Sequence, residues 1–143
     1  MSLHYYNENE DIKKEEESIN KYLYLFKPYY DNPPTLSDAL KEMFLNANAS
    51  MELVDYLVND IISKTEAKIN ENFEEIQEKY PNVSEEDSKI ICSYTCECKN
   101  YSELSPYKIL NKNLVSDKRK EGVENVSKYL FILLKSLRKI LSK

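Results

Sequence analysis

Three cysteines come closest to a chemical site among the 143 residues of this chain. Cys92 and Cys96 are four residues apart, so a helix would place both thiols on one face, with Cys98 just beyond them. Three thiolates could bind zinc with a fourth ligand, but the single histidine, His4, is distant in sequence, and zinc sites usually carry short cysteine loops. We therefore expect no metal site. We interpret the cysteines as small buried or half-buried residues, with a reactive thiol as the alternative.

The acidic residues occur in runs, as in Glu15–Glu17, Glu74–Glu75 and Glu85–Asp87. General acid–base catalysis needs two carboxyl groups in different environments inside a cleft, whereas consecutive acids normally lie on solvated helix faces. A single glycine also excludes the Gly-rich loops that cradle phosphates in the common nucleotide-binding folds. The residues themselves thus indicate no catalytic site and no cofactor, and they leave open whether the chain belongs to an enzyme.

The elements that position these residues are predicted to be helices throughout. Apolar side chains recur every three or four residues in each apolar run, and no run shows the sustained alternation of a strand. The pattern predicts an all-α fold, a single compact bundle of about five or six helices. Residues 1–10 are polar and lack a helix cap, so we expect a flexible N-terminal arm, followed by one helical domain over residues 11–143.

Proline and capping residues determine the expected helix boundaries. The first helix is expected to run from Asp11 to Pro28, which ends it, with Tyr29–Pro34 as an extended connector. The later helix starts are expected at Thr35, Ser50, Ser84 and Ser105, and at Ser116 or Gly122 for the last helix. The long helix after Ser50 has a narrower apolar face in its second half, which allows a kink or a break near Lys64–Glu66.

The net charge of −5 is divided unevenly along the sequence. Residues 1–107 contain 10 lysines and 22 acidic residues, a charge of −12, whereas residues 108–143 contain 10 basic and 3 acidic residues, a charge of +7. The candidate interaction residues of this basic C-terminal region are Lys118, Arg119, Lys120, Lys135, Arg138 and Lys139.

Most of this basic charge is expected to balance the acidic surface of the same fold. For the basic residues that are not balanced within the fold, we expect a protein partner. Nucleic acid or an anionic membrane surface is a less favoured alternative, because Lys118–Lys120 lacks the flanking aromatic residues of a stacking platform and the spacing of a helix-turn-helix.

The sequence predicts neither a membrane-spanning helix nor a secretory signal. The longest apolar stretch, Tyr129–Leu134, is much shorter than a membrane-spanning helix, and the mean hydropathy is −0.65. Met1–Tyr6 lacks a basic segment followed by an apolar one, which a secretory signal would require. We therefore expect a cytoplasmic protein in a reducing compartment.

The C-terminal third contains residues whose order matches a known family. They are Tyr94-Thr95 at the end of one predicted helix, Tyr107, Asn111 and Leu114 in the next, and Tyr129, Leu137 and Lys139 in the last. Over residues 85–141 this order resembles the N-terminal helical lobe of the arginine-type mono-ADP-ribosyltransferases. The resemblance implies that Thr95, Tyr107 and Asn111 are structural polar residues, and buried ones would hold helix ends or a loop through hydrogen bonds.

The resemblance further implies that NAD binding and catalysis belong to a separate catalytic half. In that family an Arg on the first strand, a Ser-Thr-Ser strand and a Glu-x-Glu loop bind NAD and catalyse the transfer, and all of them follow the helical lobe. None follows it here, and Glu8-Asn9-Glu10 has the Glu-x-Glu spacing but precedes the lobe. The resemblance thus implies a non-catalytic lobe that forms a substrate or regulatory surface, and a transferase only if a catalytic half completes it.

The alternative function is a stand-alone helical protein–protein interaction module. Such an effector or adaptor would bind its partner through a groove or through the basic C-terminal helix. It requires no small-molecule cofactor.

Overall fold

The computed structural model describes residues 23–115 and 117–141, and all regular structure in these two ranges is helical. The α-helices are α1 (Lys27–Asp31), α2 (Leu36–Asn46), α3 (Met51–Lys79), α4 (Glu85–Tyr94), α5 (Pro106–Leu114), α6 (Arg119–Asn125) and α7 (Ser127–Leu141). Short 3-10 helices span Leu23–Phe26 and Ser102–Leu104. The all-α prediction is confirmed, although these ranges alone contain seven α-helices instead of five or six.

Pro28 lies inside a helix that begins at Lys27, whereas the sequence predicted that this proline would end one. It lies in the first turn of α1. Backbone N–H groups in the first turn have no partner within the helix, so the N–H that proline lacks costs no hydrogen bond there. Residues 29–31 are therefore helical, and the connector to α2 is shorter than expected. The predicted arm over residues 1–10 and the predicted helix start at Asp11 lie outside the described residues.

The predicted last helix is two helices, α6 and α7, which are separated at Val126. Val126 is buried, and its backbone departs from helical geometry with φ −124° and ψ 20°. Because α6 packs on α5 while α7 packs on α2 and α4, the chain must change direction between them. Val123 and Val126 keep helical spacing across this point, so the apolar pattern gave no sign of the break. Ser116, one of the two expected starts, lies outside the described residues.

Three of the predicted N-terminal caps are confirmed. Ser84 and Asp87 form a complete capping box on α4, in which each side chain accepts a bond from the other's backbone N–H. The hydroxyl oxygens of Thr35 and Ser50 each accept a bond from the N–H three residues further on. Helix α3 is continuous over 29 residues, without a break near Lys64–Glu66.

Helix α7 is the centre of the core. Its residues 129–133 are all buried, because α2, α4 and the Leu23–Phe26 turn cover different sides of it. Helical spacing in the sequence predicts one apolar stripe on the last helix, with Leu130, Leu133, Leu137 and Leu141 on it. Phe131 and Ile132 lie outside that stripe but are also buried, whereas Leu141 is 83% exposed. At the centre, Tyr129 is fully buried, and its hydroxyl forms a 2.7 Å hydrogen bond with Ser93 Oγ.

Candidate functional site

An open cleft of about 840 Å³ lies between α3 and the segment that joins α4 to α5. We call it the tyrosine cleft. Its walls are Lys64, Ala67 and Lys68 of α3, Tyr94 of α4, Thr95, Cys96 and Glu97 of the joining segment, and Tyr107 of α5. Three of the residues on which the family resemblance rests, Tyr94, Thr95 and Tyr107, are thus brought together.

Aromatic and charged groups meet inside the tyrosine cleft. The rings of Tyr94 and Tyr107 are edge to face with centroids 6.5 Å apart, and the Tyr107 hydroxyl donates to Glu97 Oε1 at 3.4 Å. Lys64 Nζ pairs with Asp60 Oδ2 at 2.8 Å, and this hydrogen bond raises the pKa of the Lys64 ammonium. The cleft can therefore present aromatic faces and positive charge to a ligand, with Glu97 as the opposing carboxylate.

Local hydrogen bonds fix the segment that forms one wall of the cleft. Ser105 was expected to cap α5 with its side chain, but its hydroxyl oxygen instead accepts a 3.1 Å bond from the buried N–H of Cys98. Thr95 Oγ1 donates to the Cys92 carbonyl at 2.9 Å and so closes the last turn of α4. Because both bonds are local to residues 92–105, the wall is held independently of any ligand.

The polar residues implied by the resemblance have different environments. Thr95 does hold the end of α4, but it is exposed and not buried. Tyr107 is half-buried. Asn111 is exposed on α5 and lines a separate depression with Asn46 and Asn48, away from the tyrosine cleft.

The cysteines are buried or half-buried, as predicted from the sequence. Cys96 and Cys98 are buried and Cys92 is half-buried, and all three are free thiols. Burial raises the pKa of the Cys96 and Cys98 thiols, so both stay protonated and weakly nucleophilic near neutral pH. In the part of the chain that the structure describes, no group of three His, Cys, Asp or Glu residues is placed to hold a metal ion.

An apolar groove of about 380 Å³ adjoins the tyrosine cleft. We call it the α3–α4 groove. It is lined by Ile69, Asn72, Ile76, Tyr80, Val83, Ser88, Ile91, Cys92 and Ile140, and it shares Lys68 and Thr95 with the cleft. Sequence analysis did not identify Lys64 and Lys68 as site residues, although their spacing of four on a predicted helix places them on one face.

One predicted interaction residue, Lys139, instead holds the fold together. Its Nζ lies 2.6 Å from the buried carboxylate of Asp87, which also accepts bonds from the hydroxyls of Ser84 and Ser136, each at 2.9 Å. Burial alone would raise the pKa of Asp87, but the bonds from Lys139, Ser84 and Ser136 outweigh burial and lower it. This pair joins the basic end of α7 to the acidic start of α4.

The other end of α7 is joined to the acidic body in a similar way. Glu42 of α2 accepts a 3.3 Å bond from the backbone N–H of Lys128 and lies 4.0 Å from its ammonium group. A carboxylate at this position satisfies an N–H that has no partner inside the helix and lies at the positive end of the helix dipole. Part of the basic charge is therefore balanced within the fold, as the sequence analysis expected.

The remaining predicted interaction residues belong to two places. Lys135 and Arg138 are exposed on α7 and line a small pocket with Leu23, Phe26, Tyr30, Phe131 and Leu134, which we call the Phe131 pocket. Lys118, Arg119 and Lys120 lie at the start of α6 and do not line that pocket. Spacing in the sequence did not identify the pocket, because its apolar residues come together only where the Leu23–Phe26 segment packs on α7.

Comparison of the chain with protein-family models, with curated proteins and with solved structures finds no match. The resemblance to the ADP-ribosyltransferase lobe therefore stays a prediction from the sequence. Among the helices of the described ranges, none combines the length and the apolar character needed to cross a membrane.

Proposed function

We propose that this protein is a helical protein–protein interaction module that binds a partner along the tyrosine cleft and the α3–α4 groove. The observation that carries the proposal is that the two depressions share Lys68 and Thr95 in their walls. Together they follow α3 from Lys64 to Tyr80, which at 1.5 Å per residue is about 24 Å. A surface of this length is larger than one side chain requires, and it can accommodate a partner segment of several residues.

The chemistry of the surface favours an amphipathic helix as that segment. The groove end is lined by aliphatic side chains, among them Ile69, Ile76 and Ile91, which can receive apolar residues spaced three or four apart. At the cleft end, Lys68 is exposed and provides positive charge, while Lys64 already pairs with Asp60, and the two tyrosine rings provide flat apolar contact. A partner helix with an apolar stripe and acidic residues toward one end would match both halves.

The proposal can be tested with a displayed library of peptides about 16 residues long, matching the length of the surface. Apolar residues are fixed at helical spacing and the other positions are random, and the library is selected on the full chain. Selected peptides should bind Lys68→Glu and Ile76→Ser about tenfold more weakly. Binding to Lys41→Glu, a charge reversal at an exposed position of α2, should be unchanged.

Two results would contradict this function. One is that the library yields no peptide that binds saturably. The other is that selected peptides bind Lys68→Glu and Ile76→Ser as tightly as the parent chain, while circular dichroism shows that both variants remain helical.

A second candidate function is the non-catalytic lobe of an ADP-ribosyltransferase. The observation that favours it is that Tyr94, Thr95 and Tyr107, which carry the sequence resemblance, line one cleft. Under this hypothesis the cleft forms part of a substrate or regulatory surface next to a catalytic half. Tyr107→Ala should then weaken binding to a separately expressed catalytic domain of that family, whereas Asn111→Ala, outside the cleft, should not.

A further inference from the structure

We propose a second binding site at the Phe131 pocket, which takes one large apolar side chain of an acidic peptide while Lys135 and Arg138 pair with the flanking carboxylates. Among the residues that the structure describes, none lines both the Phe131 pocket and either the tyrosine cleft or the α3–α4 groove. The inference therefore stands independently of the proposed function.

The base of the pocket is an aromatic cluster built around Phe131. The ring of Phe131 lies 5.7 Å from Phe26, 5.6 Å from Tyr29 and 5.7 Å from Tyr30, measured between centroids. Phe26 and Phe131 are buried, whereas Tyr30 stands edge-on against Phe131 and is 62% exposed. An exposed ring braced by buried rings forms a firm apolar wall, of the kind that anchors an inserted side chain.

The size of the pocket indicates what it can hold. Its volume is about 240 Å³, below the roughly 300–1,000 Å³ of sites for small molecules and cofactors. A space of this size accommodates a single Phe, Leu or Met side chain. The volume therefore favours a peptide anchor over a cofactor.

The charge of the pocket indicates what should flank that anchor. Lys135 and Arg138 are three residues apart on α7, so both cations lie on the same side of the helix, and both are exposed. No carboxylate is among the described residues that line the pocket, in contrast to Lys128 and Lys139, which have Glu42 and Asp87 nearby. An Arg guanidinium binds a carboxylate through two parallel hydrogen bonds, and this favours acidic residues beside the anchor.

The experiment measures fluorescence anisotropy of labelled peptides with the full chain. The probe is a short peptide with one central Phe between two pairs of Glu, and its comparators carry Ser for Phe or Lys for Glu. The protein variants are Lys135→Glu with Arg138→Glu, the neutral pair Lys135→Gln with Arg138→Gln, and Tyr30→Ala. The control pair is Lys41→Glu with Lys112→Glu, which reverses two exposed charges outside the pocket.

We expect saturable binding of the Phe peptide that weakens as salt is added. Binding should fall about tenfold with the Ser peptide, with Tyr30→Ala and with the Glu pair, less with the Gln pair, and under about twofold with the control pair. The Glu pair should instead bind the Lys-flanked peptide, because its pocket charge is reversed. This exchange of preference requires a folded pocket, so it separates lost recognition from unfolding.

Three results would overturn the inference. The first is no saturable binding of the Phe peptide. The second is equal binding of the Phe and Ser peptides, or equal loss in the control pair, since either indicates unspecific charge attraction. The third is that anionic phosphatidylserine vesicles or single-stranded DNA bind through Lys135 and Arg138 in preference to the peptide, which would assign the two cations to a membrane or nucleic acid.

Discussion

Gly122 of α6 packs directly on the backbone of Asn113 in α5, so closely that a β-carbon at Gly122 would overlap the Asn113 carbonyl oxygen. Glycine normally weakens the interior of a helix, and the single glycine of the chain is found within one. Its position is explained by this contact, because only a residue without a side chain allows α6 to lie against α5. The side chain of Asn125, three residues further on, reaches back to Asn113 Oδ1 at 3.4 Å.

Gly122→Ala should therefore destabilise the protein, although alanine is the better helix former. The obstacle is backbone and cannot rotate away, so we expect a loss of about 2–3 kcal/mol in the free energy of unfolding, as for other overpacked sites. Urea denaturation followed by circular dichroism measures it. Lys120→Ala, at an exposed position of the same helix, should change stability by less than about 0.5 kcal/mol. An equally stable Gly122→Ala would show that α6 can move off α5 freely.

Local features were predictable from the sequence because both partners of each interaction are close along the chain. The capping box of Ser84 and Asp87 spans three residues, and the residue types and their spacing are enough to identify it. The helical periodicity of α3 is equally local. Both predictions needed no knowledge of the tertiary fold.

Features that depend on packing between helices were not predictable in this way. The contact of Gly122 with Asn113 and the break at Val126 arise because α6 packs on α5 whereas α7 packs on α2 and α4. Ser105 has the sequence of an N-cap, yet its hydroxyl bonds to Cys98 N instead. In the candidate sites, spacing could pair Lys64 with Lys68, but it could not bring Tyr107 opposite them.

The buried carboxylate of Asp87 should make stability depend on pH in the acid range. Its pKa in the folded state lies below the ordinary 3.8, because the bonds from Lys139, Ser84 and Ser136 outweigh burial. Stability from this group is therefore fully present above the unfolded pKa and is lost as pH falls through the lower folded value. Denaturation midpoints between neutral pH and pH of about 2 should show this loss.

The matched variant for this prediction is Asp87→Asn. It keeps the shape but removes the charge, so we expect about 1–3 kcal/mol less stability at neutral pH. Below the folded pKa of Asp87 the difference between the two proteins should shrink. A difference that stays constant across the acid range would mean that the Asp87 carboxylate does not contribute through its charge.

Two leucines of α7 should differ in their contribution to stability. Leu133 is 4% exposed, so Leu133→Ala should cost about 2–5 kcal/mol through lost burial and the cavity left behind. Leu137 is half-buried, and its replacement by Ala should cost less, about half as much. Thermal and urea unfolding of both variants measures the difference. A loss below about 0.5 kcal/mol at Leu133 would contradict the central place of α7 in the core.

The chain on its own should neither hydrolyse NAD nor bind it tightly. A dinucleotide site needs several donors that converge on the phosphates and a carboxylate for a ribose. In the tyrosine cleft the cations are Lys64 and Lys68, and the first already pairs with Asp60. Calorimetry with millimolar NAD should therefore give no saturable signal, and chromatography should detect no release of nicotinamide.

Variants at two positions make this last prediction specific to the cleft. Tyr107 lines the tyrosine cleft, whereas Asn111 is exposed outside it, although the sequence resemblance singled out both. A saturable NAD signal that Tyr107→Ala abolishes and Asn111→Ala leaves unchanged would make the cleft a nucleotide site and contradict the non-catalytic hypothesis. A saturable signal that neither variant changes would also contradict the prediction that the chain does not bind NAD, but it would assign NAD to another surface and leave the cleft free for a protein partner.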